Sequence, residues 1–143
     1  YKLGEAEKRA LRAGVKGLRT EVIRSAADVQ RHAGWANKML LDVPCSGSGV
    51  IRRDVDTKWK LQPEHLDRIR EIQYAILRDY SAALQPGGLL VYATCSILRS
   101  ENEDQVRRFL DEKAGAFELR EEVRISPEHP HSDGYYVARL YKR

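Results

Sequence analysis

Two cysteines are the residues of this sequence with the clearest chemical potential. Cys45 lies in the segment PCSGSG, and Cys95 directly follows the apolar segment LLVYAT. A deprotonated cysteine is both a nucleophile and a metal ligand. Zinc sites, however, need closely spaced ligand pairs, and the four histidines are scattered along the chain. We therefore expect no metal site, and two free thiols rather than a disulfide.

The segments that precede the two cysteines place both thiols in one region. A cysteine at the end of a buried strand is, taken alone, more often a small core residue than a nucleophile. Both KMLLDV (38–43) and LLVYAT (89–94) are nearly continuous apolar runs, typical of strands buried on both faces of a parallel sheet. Ligands of open α/β sheets bind at the carboxyl ends of such strands. We expect both thiols there, beside Asp42. This carboxylate among apolar neighbours has either a functional role or a structural one, which would be to accept hydrogen bonds from the backbone amides of the loop.

The glycines of the first loop do not complete a known nucleotide-binding motif. Arg52 occupies the position where the dinucleotide pattern started by Gly47 and Gly49 needs a third glycine. No GK[ST] follows that would make a phosphate-binding loop. Both nucleotide-loop interpretations therefore fail.

The rest of the chain predicts alternating helices and strands. Helix formers, apolar spacing and turn residues predict these elements in chain order: a helix at 2–13, a strand at 18–23, a helix at 25–33, a long amphipathic helix at 64–84, a turn at 86–88, a helix that a capping box at 100–103 begins and that runs to about Lys113, and strands near 117–123 and 135–141. The loop between the last two strands is short enough for an antiparallel hairpin. We expect a Rossmann-like α/β sheet with helices on both faces.

The bulk properties narrow the class of protein. A chain of 143 residues can build one hydrophobic core. No apolar run approaches the ~20 residues that span a bilayer, and no signal-peptide pattern opens the chain, so we expect a soluble, cytoplasmic protein. The net charge of +4 is compatible with a polyanionic partner without requiring one. Because the chain opens at Tyr1 within a charged helical pattern, we expect a fragment of a longer protein.

Two segments match, residue by residue, the signature motifs of a known family. LLDVPCSGSGVIRR (40–53) and LVYATCS (90–96) resemble motifs of the Sun/Fmu (Nol1/Nop2/Sun) family of RNA cytosine-5 methyltransferases. The similarity extends from about Arg12 onward and includes the short segments KW (58–59), PGG (86–88), SENEDQV (100–106) and SDGYYVARL (132–140).

The resemblance implies a reaction and a role for three residues. Family members transfer a methyl group from S-adenosylmethionine to carbon 5 of cytosine in RNA, here rRNA or tRNA. Cys95 would add as a thiolate to carbon 6, because carbon 5 is a poor nucleophile until the ring becomes an enamine. Asp42 would hydrogen-bond the pyrimidine edge near N3, and Cys45 would help to eliminate the enzyme from the product.

The resemblance also implies binding residues. The cofactor contacts would be Asp42, Pro44 and Ser25, the last of which stands near the position where the family has an acidic residue. The contacts to RNA phosphates around an unstacked base would be Arg52, Arg53 and Lys58, although a solvated basic loop explains these residues nearly as well.

The family pattern contains segments that this sequence lacks. Upstream of the first helix, family members carry a strand and a glycine-rich loop for the cofactor, followed by a second strand. We therefore expect residues 1–143 to be the C-terminal part of a catalytic domain. The two absent strands normally lie between 18–23 and 38–43, where unpaired backbone groups are costly. Either the full protein supplies them, or a partner chain fills the gap, or 18–23 is displaced.

Two other functions compete with methyl transfer. A non-catalytic RNA-binding or assembly module could retain the same fold. A thiol hydrolase would need a histidine beside one cysteine, and none of His32, His65, His129 and His131 stands in a strand-end loop next to either. Trp59 could stack on a base, but we expect it to be a buried anchor for the following helix.

Overall fold

The protein is described by a computed structural model that covers residues 2–128 and 132–143. Its helices are α1 (Lys2–Arg12), α2 (Ala26–Gln30), α3 (Thr57–Lys60), α4 (Pro63–Tyr80) and α5 (Glu103–Glu112). Its strands are β1 (Ala36–Asp42), β2 (Leu84–Thr94), β3 (Phe117–Ile125) and β4 (Tyr135–Lys142). No helix among these residues is long and apolar enough to cross a membrane.

The four strands form one mixed sheet in the order β1-β2-β4-β3. Strand β1 runs parallel to β2, with Leu41 opposite Tyr92. A parallel neighbour needs a crossover connection, and α4 lies in the segment that makes it. Strand β4 is antiparallel to both β2 and β3. The predicted α/β class and the C-terminal hairpin are therefore confirmed.

Helices α4 and α5 pack against one face of the sheet. Tyr74 and Leu77 of α4 and Phe109 of α5 form a core cluster with Tyr92 of β2 and Leu140 of β4. All five side chains are buried. Burial of each such side chain stabilises the fold by about 1.5–3 kcal/mol. This packing fixes the position of β2, an inner strand of the sheet that is directly followed by Cys95.

Strand β1 lies at the edge of the sheet, and the prediction that 38–43 is buried on both faces is wrong. Leu40 is 67% exposed, whereas Leu41 is 7% exposed. Within the described part of the chain, β1 pairs with β2 alone, and the core cluster lies on the side to which Leu41 points. An apolar run therefore marks a strand here, but only one of its faces is covered.

The segment 18–23, predicted as a strand, has no regular structure. Alternating apolar residues form a strand only where their backbone groups find a partner strand. No described residue pairs with 18–23, and Val22 is 57% exposed. Ile23 lines a cleft of about 710 Å³ together with Met39 of β1 and Val29 of α2. Which of the three expected arrangements holds in a longer protein stays a prediction.

The turn predicted at 86–88 is instead a bulge within β2. Leu84 lies opposite Ala36 of β1, and Leu89 lies opposite Lys38, so four residues of β2 face a single residue of β1. Gly87 has φ +79°, which a residue without a side chain adopts at little cost. The turn-forming residues therefore bend the strand without ending it.

Candidate active site

The two cysteines meet where β1 and β2 end. Their Sγ atoms lie 3.1 Å apart, and both residues are free thiols that are partly buried. The prediction of free thiols rather than a disulfide is therefore confirmed. The parallel pairing of β1 with β2 brings together two residues that are fifty positions apart in sequence.

Backbone contacts hold the first cysteine loop against the second. The N–H of Gly49 donates to the carbonyl oxygen of Cys95 at 2.9 Å, and the N–H of Gly134 donates to the carbonyl oxygen of Gly49 at 2.8 Å. A Cβ atom on Gly49 would lie 2.1 Å from the carbonyl oxygen of Gly134. Glycine is therefore required at this position by the close approach of two backbones.

The contact between the two thiols shifts their pKa values in opposite directions. The hydrogen bond with Cys45 lowers the pKa of Cys95 to about 7, although burial and the carboxylates of Asp42 and Glu101 oppose this shift. The same hydrogen bond, together with burial, raises the pKa of Cys45 well above the usual thiol range. At neutral pH about half of the Cys95 side chains are therefore thiolates, and each accepts a hydrogen bond from protonated Cys45.

A cluster of buried hydroxyl groups lies next to the two cysteines. Ser46 and Ser48 of the first loop and Ser96 of the second are buried, and the Oγ atoms of Ser48 and Ser96 are 2.9 Å apart. Ser46 and Ser96 both donate to the fully buried carboxylate of Glu101.

Sequence reasoning missed this cluster, because it assigned 100–103 to a capping box. Helix α5 in fact begins at Glu103, after Asn102, and no side-chain hydrogen bond caps it. The side chain of Asn102 instead accepts from Thr94 Oγ1 at 2.6 Å. The available signal was that each cysteine is directly followed by a serine, Ser46 or Ser96.

Asp42 and Pro44 are exposed at the outer edge of the site. Asp42 ends β1 and lies opposite Ala93 of β2. No side-chain hydrogen bond within the described part of the chain reaches its carboxylate, so the alternative role of accepting loop amides is not seen. The negative charge of Asp42 acts on Cys95 by raising its pKa. The carboxylate is therefore near the thiolate and open to solvent.

Arg52 and Arg53, predicted to contact RNA, lie against an acidic residue that sequence reasoning missed. The Nε of Arg53 is 2.8 Å from Asp133 Oδ2, and the Nη2 of Arg52 is 3.6 Å from Asp133 Oδ1. Asp133 is 3% exposed, whereas both arginine side chains are more than half exposed. The ion pairs tie the first cysteine loop to the loop before β4. A role in RNA binding stays a prediction for both arginines.

The prediction that Trp59 is a buried anchor is wrong. Its side chain is 74% exposed, and the ammonium group of Lys58 lies 4.8 Å from the centre of its ring. Thr57 is the residue of α3 that is buried. Two residues are separated by about 200° around a helix, so the inward position of Thr57 turns Trp59 toward solvent. The aromatic ring is therefore available for stacking.

Ser25 has a structural role in the described part of the chain. It is the N-cap residue of α2, and its backbone N–H donates to Asp28 at 3.0 Å. It also lines a cleft against α4 with Ile76 and Tyr80. No described hydrogen bond joins Ser25 to either cysteine loop. Its predicted contact with a cofactor stays a prediction.

The histidines are not brought to the cysteines among the residues that the structure describes. His32 Nε2 lies 2.7 Å from Glu21, and His65 is exposed on α4. His129 and His131 lie outside the described residues. Within the same ranges, no group of three or more potential metal-ligating side chains comes together.

The sheet and its helices are those of Rossmann-like α/β methyltransferases. The crystal structure of PH0851 superposes with a TM-score of 0.90 at 27% identity, covering 98% of this chain and 34% of that one. The structure of NSun6 from Pyrococcus horikoshii with SFG superposes with a TM-score of 0.80 at 26% identity, covering 98% of this chain and 38% of that one.

The chain belongs to the family described as 16S rRNA methyltransferase RsmB/F, whose profile matches residues 5–141. The ribosomal RNA small subunit methyltransferase B of Shewanella oneidensis is 42% identical over 140 aligned residues. The alignment covers 87% of this chain and 32% of that relative, so the chain spans about a third of the relative's length. The resemblance seen in the two motifs is therefore confirmed.

Proposed function

We propose that this chain is the C-terminal part of a catalytic domain that methylates carbon 5 of cytosine in rRNA through a covalent adduct with Cys95. The observation that carries the proposal is the contact between the two thiols, which lowers the pKa of Cys95 to about 7. About half of the Cys95 side chains are then thiolates at neutral pH, against roughly 3% for a thiol of ordinary pKa. The thiolate is the form that adds to the pyrimidine ring.

We infer one step of the reaction for each of the three residues at the strand ends. Cys95 adds to carbon 6, and the electron pair of the ring double bond becomes available at carbon 5. The carboxyl group of Asp42 shares a proton with N3, where negative charge develops. After carbon 5 has been methylated, a water molecule takes its proton, and the electron pair re-forms the double bond between carbons 5 and 6. The bond to Cys95 then breaks, and N3 returns the shared proton to Asp42. Cys45, 3.1 Å away, stabilises the departing thiolate by donating its hydrogen bond again.

S-adenosylmethionine supplies the electrophilic methyl group when it is bound. Asp42 and Pro44 fit one wall of its site, because both are exposed beside the edge of β1 that pairs with no other described strand. The opposite wall would come from upstream residues of a longer protein or from a partner chain. The length of the Shewanella oneidensis relative supports this proposal, because the chain spans only about a third of it.

Titration calorimetry tests this division of the cofactor site. We expect S-adenosylmethionine to bind a chain extended upstream by its native sequence and not to bind residues 1–143 alone. Binding of equal strength by the short chain would show that the described residues complete the site without help.

The RNA-binding side of the site includes basic and aromatic residues of the segment that follows the first loop. Arg52, Arg53 and Lys58 are exposed and can contact phosphates. Trp59 presents an exposed ring on which an unpaired base can stack. These residues position RNA without reading its sequence.

The full-length protein and RNA that contains 5-fluorocytosine provide the test of the reaction. Fluorine at carbon 5 cannot leave as a proton, so an adduct with the enzyme persists and can be seen as a shifted band on a denaturing gel. We expect adducts with the wild type and Cys45→Ala, and none with Cys95→Ala. On ordinary RNA, Cys45→Ala should accumulate an adduct that the wild type releases.

Two results would count against the proposal. Methyl transfer by Cys95→Ala would show that the thiolate is not the nucleophile. RNA binding by the wild type without trapping or methyl transfer would favour a non-catalytic RNA-binding or assembly module.

A further inference from the structure

Glu101 is an acidic residue buried completely inside the protein. It lies at the end of the short 3-10 turn Arg99–Glu101 that follows β2, and its exposure is 0%. A buried carboxylate is strongly unfavourable unless hydrogen bonds replace the water that it has lost. The hydrogen-bond donors around Glu101 therefore indicate the structural role of its buried carboxylate.

The carboxylate accepts hydrogen bonds from the residue that follows each cysteine. Its Oε1 accepts from the backbone N–H of Ser46 at 2.8 Å, and its Oε2 accepts from the hydroxyl of Ser46 at 2.5 Å. The same Oε2 accepts from the hydroxyl of Ser96. One carboxylate thus joins the loop of Cys45 to the loop of Cys95.

Two further contacts fix the carboxylate and its turn in place. Gln73 of α4 donates through Nε2 to Oε1 of Glu101 at 3.0 Å and to the carbonyl oxygen of Pro44 at 3.0 Å. The hydroxyl of Tyr92 donates to the backbone carbonyl oxygen of Glu101 at 2.7 Å. Hydrogen bonds from α4 and β2 therefore fix the position of Glu101 between the two cysteine loops.

We propose that Glu101 is a positioning residue that clamps the two cysteine loops together and thereby maintains the contact between the thiols of Cys45 and Cys95. Glu101 does not contact either sulfur atom and acts through Ser46 and Ser96. The role of this thiol contact in methyl transfer rests on the proposed function. The clamp itself can be tested without RNA or a methyl donor.

The clamp requires the length of the Glu101 side chain more than its charge. In Glu101→Gln, the amide oxygen can still accept from the N–H of Ser46, and the amide NH2 can donate to hydroxyl groups, which both donate and accept. In Glu101→Asp, the charge remains, but the side chain is shorter by about 1.5 Å. The shorter carboxylate cannot reach both loops, because hydrogen bonds fail beyond about 3.5 Å.

The pH dependence of Cys95 alkylation by iodoacetamide measures the thiol contact. Mass spectrometry of the peptide that contains Cys95 gives its rate separately from that of Cys45. The wild type should react with a midpoint near the pKa of about 7. In Glu101→Asp we expect the midpoint to rise toward ~8.5, which reduces the thiolate fraction at pH 7 by about 15-fold.

Glu101→Gln should keep the wild-type midpoint or lower it slightly, because the charge of Glu101 raises the pKa of Cys95. Glu103→Gln is the matched control, since Glu103 is a neighbouring, partly buried carboxylate that pairs with Arg124. Its midpoint should be that of the wild type. An unchanged midpoint in Glu101→Asp overturns the proposal. A rise in Glu101→Gln or in Glu103→Gln as large as in Glu101→Asp also overturns it.

If Glu101→Asp does not fold, as judged by near-ultraviolet circular dichroism, Ser96→Ala decides the question. This variant removes one tie between the loops and leaves Glu101 with the donors of Ser46 and Gln73. A raised midpoint supports the clamp, and an unchanged midpoint overturns it. Because this titration needs no substrate, failure of the clamp and failure of methyl transfer are distinguishable.

Discussion

Replacement of Gly49 by alanine tests how the two cysteine loops are packed. The new Cβ would lie 2.1 Å from the carbonyl oxygen of Gly134 and 2.9 Å from that of Cys95. Both contacts are with backbone atoms, which cannot move away as a flexible side chain can. The loops must therefore separate by roughly 1 Å to relieve the overlap.

The expected loss of stability for Gly49→Ala follows from the contacts that this separation disrupts. The hydrogen bonds from Gly134 to Gly49 and from Gly49 to Cys95 both join the separating segments. Each contributes about 1 kcal/mol, and overpacking of a tight interior adds about 1–3 kcal/mol. We expect Gly49→Ala to reduce the free energy of unfolding by about 3–5 kcal/mol, a large share of the ~5–15 kcal/mol typical of a domain.

Urea unfolding followed by circular dichroism measures this difference, provided that the slope of the transition is unchanged. Gly4→Ala is the control, because a Cβ at this position of α1 meets nothing within 4 Å. Alanine is favoured over glycine in a helix by about 1 kcal/mol, so the control should be neutral or slightly stabilising. A loss below about 1 kcal/mol for Gly49→Ala would refute the close backbone approach.

Three more predictions follow from the thiol contact, from Trp59 and from the edge strand. Cys45→Ala should raise the pKa of Cys95 from about 7 toward ~8.5, because the hydrogen bond that lowers this pKa is lost. Faster alkylation of Cys45 than of Cys95 in the wild type at pH 7 would contradict the assignment of the low pKa to Cys95. Trp59→Ala should weaken RNA binding by about 1–3 kcal/mol in a filter-binding assay, because a base would lose its stacking partner. The free energy of unfolding should not change, since the ring is 74% exposed. An unaltered affinity for RNA would exclude stacking. Leu40→Ser should hardly change the free energy of unfolding of this chain, because Leu40 is 67% exposed. It should destabilise an upstream-extended protein by about 1–3 kcal/mol, because the added residues would cover this face of β1. Equal effects in the two proteins would contradict such a covering.

The strands and the thiol pair could be predicted because their signals are local. Apolar runs before Cys45 and Cys95 identified two adjacent strands, and parallel strands present their carboxyl ends at one edge. The two strands predicted near 117–123 and 135–141, joined by a short loop, likewise predicted the hairpin. Each of these strands was recognised from the residue pattern of its own segment.

The features that sequence reasoning missed depend on contacts between distant segments. The segment 18–23 has a strand-like pattern but no partner strand among the described residues. Glu101 resembled part of a helix cap, and only the meeting of the loops that carry Ser46 and Ser96 reveals its buried role. Trp59 was assigned to the interior by its residue type, whereas the orientation of a four-residue helix turned it outward.

The pairing of β1 with β2 makes the sulfur contact a reporter of folding. Leu41 lies opposite Tyr92 in the native register, Cys95 directly follows β2, and Cys45 comes three residues after the end of β1. A slip of one residue would turn the side chains of β1 to the other face and displace Cys45 by about 3.3 Å, ending its contact with Cys95. During refolding, fast alkylation of Cys95 at neutral pH should therefore appear only when the two strands have joined in the correct register.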